Sequence, residues 1–389
     1  MMTSRERLLA VLNGRMPDRV PISSYELVGY NSQAWENREV SYAHLMDTIR
    51  ASTDCICMWE PTPIAGGAPS AVNDERALAT SSQTFLVSSN PAPMEVETRR
   101  EGDTVIVHRT LHTPTGDLTQ TTRASDNVHT VWQVEHWCKS LDDVDRALSV
   151  PYQPVDYATS DLARIHAEVG EHGIVMTSIA DPLWLAADLM AFGEYTIWAM
   201  TETEHFARTV AALHERVMEN LRRMLDTPVD LYRIAGPEYA TPPFLPPRLF
   251  QRFVVPYVAE MVDLIHSRGA KVRLHCHGKI RRVLDMILET GADGLDPCEP
   301  PPDGDIGLAE LKVHTAGRLC LFGNIELKLL ETGTVDEVEV AVRDCMAAAK
   351  SGGGFVIMPT AAPINIPLAQ QTEENYLRFI ATAVACGAY

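Results

Sequence analysis

The stretch KVRLHCHGKIRRVLDMILETGADGLDPCEP, residues 271–300, contains one full repeat of the pattern that decides the fold. It opens on a short apolar run from Lys271 to Leu274, which is typical of a strand. A segment with apolar residues at helical spacing follows, and Gly294 to Pro297 forms a second short apolar run after a glycine turn signal. A strand, a helix and a second strand in succession predict two parallel strands joined by a crossover helix.

The same alternation recurs along most of the chain. The predicted strands are Val20 to Ser24, Asp54 to Glu60, Gly173 to Ile179, Asp230 to Ile234, Lys271 to Leu274, Gly294 to Pro297, Leu319 to Phe322 and Phe355 to Met358. Eight strands alternating with helices favour a (β/α)8 TIM barrel over an open doubly wound sheet, in a single α/β domain spanning residues 1–389. No glycine-rich nucleotide loop follows any of these strands, which argues against dinucleotide and P-loop folds.

Residues 84–137 break the alternation. Here the pattern changes to a period of two, with β-branched residues between turn signals at Gly102-Asp103 and Thr115-Gly116. We predict an antiparallel β-hairpin insertion within the barrel domain, near its mouth.

Composition excludes several classes of function. The chain has 33 Lys and Arg against 52 Asp and Glu, a formal net charge of -19, which repels nucleic acid and anionic membranes. The eight cysteines form no paired framework and predict reduced thiols in a cytoplasmic protein. The opening residues have no continuous apolar stretch of the kind a signal peptide contains, and no apolar run in the sequence is long enough to span a bilayer, so we expect neither secretion nor membrane insertion. A homodimer is left open.

Titratable and polar side chains follow the predicted strands. In a barrel of parallel strands the carboxyl ends meet at one face, so these side chains are the candidates for function. They are Glu26, Glu60, Asp181, Glu238, Tyr239, His275, His277, Glu299, Asn324, Glu326, Thr360 and Asn365. So many carboxylates at one rim would repel each other, and a divalent metal would relieve that repulsion.

The most specific local signal is His275-Cys276-His277. Side chains alternate along a strand, so both imidazoles point to one side and can share a metal at the Zn–N distance of about 2.0–2.1 Å. The next strand end offers Glu299 or Cys298 as a third ligand, and three protein ligands with an open position are typical of catalytic zinc. Alternatively, the two histidines bond backbone carbonyls or act as general acid and base without a metal.

For the remaining candidates, a structural role competes with a functional one. Cys276 and Cys298 fit small buried hydrophobic residues better than ligands. Glu326 fits a helix N-terminus, where the dipole stabilises a carboxylate. Glu238 lies between a glycine and prolines at a strand end, and this context favours a functional carboxylate.

Several stretches together resemble the uroporphyrinogen decarboxylase superfamily. They are Arg5 to Leu9 with Pro17 to Pro21, Phe250 to Tyr257, His275 to Gly278, Gly291 to Leu295, Gly323 to Glu326 and Glu374 to Tyr376. The resemblance implies a (β/α)8 barrel and one of two activities. One is the haem-pathway decarboxylase, and the other is zinc-dependent transfer of methyl groups between corrinoid proteins and thiols or folates.

The chain departs from both branches. The arginine-rich loop with which the decarboxylases hold substrate carboxylates corresponds to Ser23 to Tyr30, which has no arginine. In the methyltransferases a cysteine stands where this chain has His277, and the late segment Met358 to Pro363 has no cysteine. A harder ligand set of imidazole and carboxylate would make the metal more Lewis acidic than a thiolate site.

The resulting hypothesis is metal-assisted methyl transfer or demethylation. A small methylated or methoxylated molecule would be the donor, and a corrinoid protein or a thiol the acceptor. His275, His277 and Glu299 would hold zinc, Glu238 or Tyr239 would protonate the leaving group with His277 also in the catalytic set, and Asn324 would orient the substrate.

Two alternatives remain. The first is a decarboxylase of uroporphyrinogen or a related acid, in which a rim carboxylate or histidine handles the proton without a metal. The second is a binding protein without catalysis, which the many titratable residues at the rim disfavour.

Overall fold

The computed structural model describes residues 1–64, 88, 89 and 91–389. The strands are β1 (Cys55–Met58), β2 (Thr62–Ile64), β3 (Met94–Glu101), β4 (Thr104–Thr113), β5 (Gly116–Ser125), β6 (Val128–Glu135), β7 (Asp156–Ala158), β8 (Gly173–Ala180), β9 (Leu231–Ala235), β10 (Lys271–His275), β11 (Gly294–Asp296), β12 (Cys320–Ile325) and β13 (Phe355–Pro359). The α-helices are α1 (Ser4–Leu12), α2 (Trp35–Arg38), α3 (Ala43–Ser52), α4 (Leu141–Ser149), α5 (Ser160–Val169), α6 (Pro182–Asp188), α7 (Phe192–Thr201), α8 (Thr203–Met224), α9 (Pro247–Phe253), α10 (Val255–His266), α11 (Leu284–Glu289), α12 (Leu308–Thr315), α13 (Leu327–Thr332), α14 (Val335–Ala349) and α15 (Gln370–Cys386). Short 3-10 helices cover Val40–Tyr42, Gly170–His172, Pro237–Ala240 and Arg281–Val283.

A parallel sheet forms the centre of the molecule. Its strand order is β1, β8, β9, β10, β11, β12, β13, which is the order of the chain once β2 to β7 are set aside. Both faces of the sheet are buried, as expected for parallel strands between helices. The inner face packs Ile174, Leu231, Phe322 and Met358 against Leu8 of α1, while the outer face joins the larger core beneath the helices.

The prediction of a first strand at residues 20–24 is wrong. Residues 20–24 make only an isolated bridge, Ile22 to Ile357, with hydrogen bonds from Ser23 N to Ile357 O and from Ile357 N to Pro21 O. On the other side Asp54 N donates to Ile22 O at 2.7 Å. Proline has no N–H to donate, so the segment cannot complete a ladder. The described part of the chain therefore shows a mixed α/β fold with a curled sheet of seven parallel strands, in which residues 20–24 do not form a regular eighth strand.

A second sheet is antiparallel. Its strands β3, β4, β5 and β6 follow one another as a meander between residues 94 and 135, with turns at both predicted positions. Residues 84–87 and 90 of the predicted insertion lie outside the described residues. Hydrogen bonds from His129 N to Ile364 O and from Ile366 N to Asn127 O tie this sheet to the loop after β13. A two-stranded antiparallel pair, β2 with β7, completes the sheets that the structure describes.

Two further sequence expectations concern cysteines and membranes. All eight cysteines are free thiols, seven of them buried and Cys386 partly exposed. Among residues 1–64 and 91–389, no helix combines the length and the apolar character that crossing a bilayer requires.

Candidate active site

Four predicted residues meet at the carboxyl ends of β9, β10 and β11. Glu238 sits in the 3-10 helix after β9, His275 ends β10, His277 follows two residues later, and Glu299 follows β11. The rings of His275 and His277 lie 4.5 Å apart between centroids and are nearly perpendicular. Glu238 lies within electrostatic range of His277. The side chains predicted from separate strands therefore share one site.

His275 is held by Asp296, its direct partner in the register of β10 and β11. Its Nδ1 donates to Asp296 Oδ2 at 2.9 Å, because an ionised carboxylate can only accept. Burial, assisted by the nearby positive charge of Arg233, lowers the pKa of His275 to about 3. Burial opposes ionisation of Asp296, but Arg273 and His275 outweigh it and lower the pKa of that carboxyl. His275 is therefore a neutral imidazole, and its Nε2 takes no part in the hydrogen bond to Asp296.

His277 pairs in the same way with Glu299. Nδ1 of His277 lies 2.7 Å from Glu299 Oε1, and the other carboxylate oxygen accepts from Gly278 N at 2.7 Å. Burial alone would lower the pKa of His277, but the carboxylate of Glu299 overcomes this and raises it. The same pairing lowers the pKa of Glu299 against the effect of its own burial. The side chain of His277 is 34% exposed, so the pair opens toward solvent.

This pairing changes the predicted metal set. Both oxygens of Glu299 serve His277 and Gly278, so Glu299 acts in this arrangement as a hydrogen-bond partner and not as a third ligand beside His275 and His277. Over the described ranges, no group of three or more His, Cys, Asp or Glu side chains is arranged to hold a metal ion. What does fit a metal is the orientation of both imidazoles by carboxylates at Nδ1, which leaves Nε2 for a ligand role.

The carboxylate of Glu238 is held by a backbone N–H. Gly236 N donates to its Oε2 at 2.8 Å, and burial raises the pKa of Glu238. Behind it lies Asp181, whose Oδ1 accepts from Trp184 N at 2.7 Å and whose pKa burial raises well above its usual value. A carboxyl group with a raised pKa retains its proton closer to neutral pH, so Glu238 is suited to donate one.

Tyr239 occupies a different environment. Its ring packs between Trp184 and Tyr195, at 6.1 and 5.8 Å between centroids, and its carbonyl accepts from the Tyr195 hydroxyl. Burial raises the pKa of Tyr239, which makes the phenol a weaker acid. Of the two predicted proton donors, Glu238 is therefore the better placed.

Asn324 serves the architecture of the site. Its Nδ2 donates to Cys298 O at 3.1 Å and its Oδ1 accepts from Cys345 Sγ at 3.3 Å. Both polar ends are thus engaged with protein, which braces the loop that carries Glu299. Cys276 and Cys298 are buried, as expected for small hydrophobic residues of the core, and burial raises the pKa of each thiol well above its usual value.

Other predicted rim residues make structural contacts. Glu326 immediately precedes α13, and Thr360 Oγ1 accepts from Leu327 N at the start of that helix. Asn365 forms a bridge with Val128 of the antiparallel sheet. These residues shape the rim and stand apart from the hydrogen bonds of the histidine pair.

Sequence reasoning missed two arginines inside the sheet. Arg233 and Arg273 are direct register partners on β9 and β10, 8% and 0% exposed. Arg233 donates to Glu26 Oε1 at 2.8 Å and to the Tyr25 hydroxyl at 2.9 Å. Arg273 Nε lies 3.0 Å from Asp296 Oδ1. The signal was an arginine two residues before the end of each of two apolar strands, LYRIA and KVRLH, where strands rarely tolerate charge.

The profile of the family described as uroporphyrinogen decarboxylase (URO-D) matches residues 99–380. The chain belongs to the uroporphyrinogen decarboxylase family. The matched residues include the candidate site residues Glu238, Tyr239, His275, His277, Glu299 and Asn324. Tyr25 and Glu26 of this family member lie outside the match.

Relatives of this uroporphyrinogen decarboxylase family member include methyltransferases. It is 24% identical over 196 residues to the methylcobamide:CoM methyltransferase MtaA of Methanosarcina barkeri, and 25% identical over 197 residues to the protein of that name from strain Fusaro / DSM 804. Each match covers 50% of this chain and 54% of the relative, so the chain spans about half the length of these relatives. A methyltransferase from Methanosarcina mazei shares the fold, with a TM-score of 0.61, 16% identity and 98% of both chains covered.

Proposed function

We propose that this protein is a methyltransferase that moves a methyl group from a small methylated or methoxylated molecule to a corrinoid protein or a thiol. The observation that carries the proposal is the cluster at the carboxyl ends of β9, β10 and β11, where Glu238, whose pKa burial raises, lies within electrostatic range of His277, one of two imidazoles held by carboxylates. Membership of the family and the two methyltransferase relatives support this class of reaction.

In the proposed reaction Glu238 protonates the leaving group. When the bond between the methyl carbon and its oxygen breaks, the oxygen gains negative charge, and a nearby carboxylic acid lowers the barrier by supplying a proton. Tyr239 follows Glu238 directly in the chain and packs against Trp184, and Asn324 would hold the loop of Glu299 in place. A reduced corrinoid on a partner protein, or a thiolate, would supply the nucleophile that takes the methyl group.

Zinc is the proposed metal, on Nε2 of His275 and His277. Their Nδ1 atoms are already held by Asp296 and Glu299, the arrangement that orients imidazole ligands in zinc sites. Glu299 would join as third ligand only by leaving His277 and Gly278. When bound, zinc would act as a Lewis acid on the leaving oxygen.

Transfer to free cob(I)alamin tests the reaction. Purified protein is incubated with methoxylated and methylated donors, and methylcobalamin is followed by its absorbance. Glu238→Gln keeps an acceptor for Gly236 N but has no proton to give, so we expect the rate to fall about 10²- to 10⁴-fold. Glu310→Gln, an exposed carboxylate on α12, is the matched control and should keep the wild-type rate. No transfer by the wild type, or an unchanged rate in Glu238→Gln, contradicts the proposal.

Metal analysis tests the zinc separately. We expect about one zinc per chain in the wild type, loss of that zinc in His277→Ala, and retention in His314→Ala, whose exposed imidazole bonds Asp285 on the outer surface. An active protein purified without metal would remove zinc from the mechanism and leave the proton transfer by Glu238 to be tested by itself.

A second candidate is decarboxylation of uroporphyrinogen or a related carboxylic acid. The observation in its favour is the pair Arg233 and Arg273, because buried guanidinium groups bind carboxylates. Release of CO2 from uroporphyrinogen or a smaller acid by the purified protein, without methyl transfer, would decide for this reaction.

The proposal also includes the domain plan. Residues 1–389 would form one domain in which 84–137 are an insertion, and residues 20–24 would close the sheet into a barrel through their bonds to both edge strands. One urea transition seen alike by fluorescence and circular dichroism is the expected result. Two separate transitions would contradict a single domain.

A further inference from the structure

The floor of the site holds more buried positive than buried negative charge. Arg233 and Arg273 lie side by side on β9 and β10, and both are more than nine-tenths buried. Asp296, which is fully buried, is the carboxylate next to Arg273, and it is also bonded to His275. A buried guanidinium is costly unless anions and hydrogen-bond acceptors surround it. One buried carboxylate thus lies near two buried guanidinium groups.

A second carboxylate beside Arg233, that of Glu26, is partly exposed. Glu26 accepts from Arg233 Nη1, and its side chain is 36% exposed. Within residues 1–64 and 91–389, Nε of Arg233 and Nη2 of Arg273 are buried and have no hydrogen-bond partner. The floor therefore offers donors that the described protein atoms do not satisfy.

Tyr25 connects this floor to the histidines. The guanidinium of Arg233 lies 5.5 Å from the centre of the Tyr25 ring, and that ring lies 6.3 Å from His275. Since the Tyr25 oxygen accepts from Arg233 Nη2, its own hydrogen remains available for an acceptor. An acceptor placed at Arg233 would thus meet two donors and lie next to the proposed site of reaction.

We propose that Arg233 is the anchor for a carboxylate on the substrate, which takes the position of Glu26 and receives a second hydrogen bond from Tyr25. This inference rests on the proposed function and names its substrate class, a small acid whose charged end lies on Arg233 and whose reacting end lies beside His277. The acidic rim does not oppose it, because Arg233 and Arg273 place two buried guanidinium groups beside the buried carboxylate of Asp296. One such anchor suits a small acid and not an octacarboxylate.

Binding measurements test the anchor without any need for turnover. The probes are acetate, benzoate and 4-methoxybenzoate, each paired with its neutral amide, titrated by calorimetry at constant ionic strength. We expect at least one carboxylate to bind the wild type about 10-fold or more tightly than its amide, and Arg233→Met to weaken that carboxylate about 10- to 100-fold while leaving the amide unchanged. Arg343→Met, which removes an exposed charge on α14, is the matched control.

Glu26→Ala provides a gain that a purely structural role would not produce. Without the competing carboxylate, we expect the same acid to bind several-fold more tightly, and this variant decides the matter if Arg233→Met does not fold. No preference for any carboxylate over its amide, or unchanged carboxylate binding in Glu26→Ala and in a folded Arg233→Met, overturns the anchor. Carboxylate preference without methyl transfer would contradict the proposed function alone, and methyl transfer without that preference would contradict the anchor alone.

Discussion

Carboxylates on a neighbouring strand hold both histidines of the site through Nδ1. Asp296 orients the ring of His275, and Glu299 orients the ring of His277. Two similar residues thereby acquire opposite properties, since the deeply buried His275 has a lowered pKa and the half-buried His277 a raised one. At the scale of single residues, the chemistry of this site depends on such partners as much as on the residues that the sequence singles out.

A residue larger than glycine at position 236 would clash with a neighbouring side chain of the site. The φ of Gly236 is +132°, and a Cβ atom there would lie 1.9 Å from Asp181 Oδ1. Gly236→Ala should therefore lower the free energy of unfolding by about 2–4 kcal/mol, through overpacking and backbone strain, and displace Glu238. Urea unfolding measures the change.

Gly193→Ala is the control for this substitution. Gly193 lies in α7 and has open space around the position of a Cβ atom, so alanine should change stability by less than about 1 kcal/mol. Similar stabilities of the two variants would show that the close approach of Gly236 to Asp181 has no energetic weight.

At the scale of elements, the short helix α2 positions the loop that carries Tyr25 and Glu26. Glu36 of α2 accepts from Val28 N at 2.9 Å, and Asn37 Nδ2 donates to Val28 O at 2.7 Å. These bonds replace the regular ladder that this loop lacks. The positions of Tyr25 and Glu26 beside Arg233 thus depend on a helix of one turn outside the sheet.

Ionisation of Glu36 should make the free energy of unfolding depend on pH. Burial raises its pKa from 4.5 to about 7, so the folded state binds its proton more tightly than the unfolded state does. The stabilisation from this group is complete at low pH and is lost as pH rises from about 4.5 to 7, which amounts to about 3 kcal/mol. Glu36→Gln keeps the acceptor for Val28 N and removes the charge. We expect it to be more stable than the wild type at pH 8 and nearly equal at pH 5, by urea unfolding.

Glu215→Gln on the exposed surface of α8 is the comparison for Glu36→Gln, and it should follow the wild type at both pH values. If the difference between Glu36→Gln and the wild type is the same at pH 5 and pH 8, Glu36 does not titrate between these values and the prediction is wrong.

At the scale of the whole molecule, one buried ion-pair network joins the amino-terminal segment to the sheet. Asp54 is fully buried and accepts from Arg7 Nη1 at 2.5 Å and from Ile22 N at 2.9 Å, with Arg19 also in contact. Its own N–H donates to Ile22 O. The network therefore holds residues 20–24 against the edge of β1, where the sheet would close.

Removal of Asp54 should loosen this edge. Asp54→Ala leaves Arg7 buried without its deepest partner, and we expect a loss of about 3–5 kcal/mol in the free energy of unfolding. Asp47→Ala removes an exposed partner of Arg50 and should cost less than about 1 kcal/mol. Equal costs in urea unfolding would mean that the network does not stabilise the closing edge.

The order of elements could be predicted from the sequence because alternation of apolar runs is a local property. Seven of the eight predicted strands coincide with observed strands, and the exception contains Pro21, which cannot complete a ladder. The common side of His275 and His277 likewise follows from the two-residue period of a strand. Local spacing therefore determined the architecture and the main functional candidates.

The partners of these residues were decided only by the tertiary structure. Arg233 meets Arg273 through the register of strands about 40 residues apart in the chain, Asp296 meets His275 in the same way, and Glu26 reaches Arg233 from more than 200 residues away. Register depends on how side chains from distant strands pack in the closed core, and no local pattern contains that information. For this reason the sequence determined which residues gather at the carboxyl end of the sheet, and the fold decided their charge, their hydrogen-bond partners and the role that each can take.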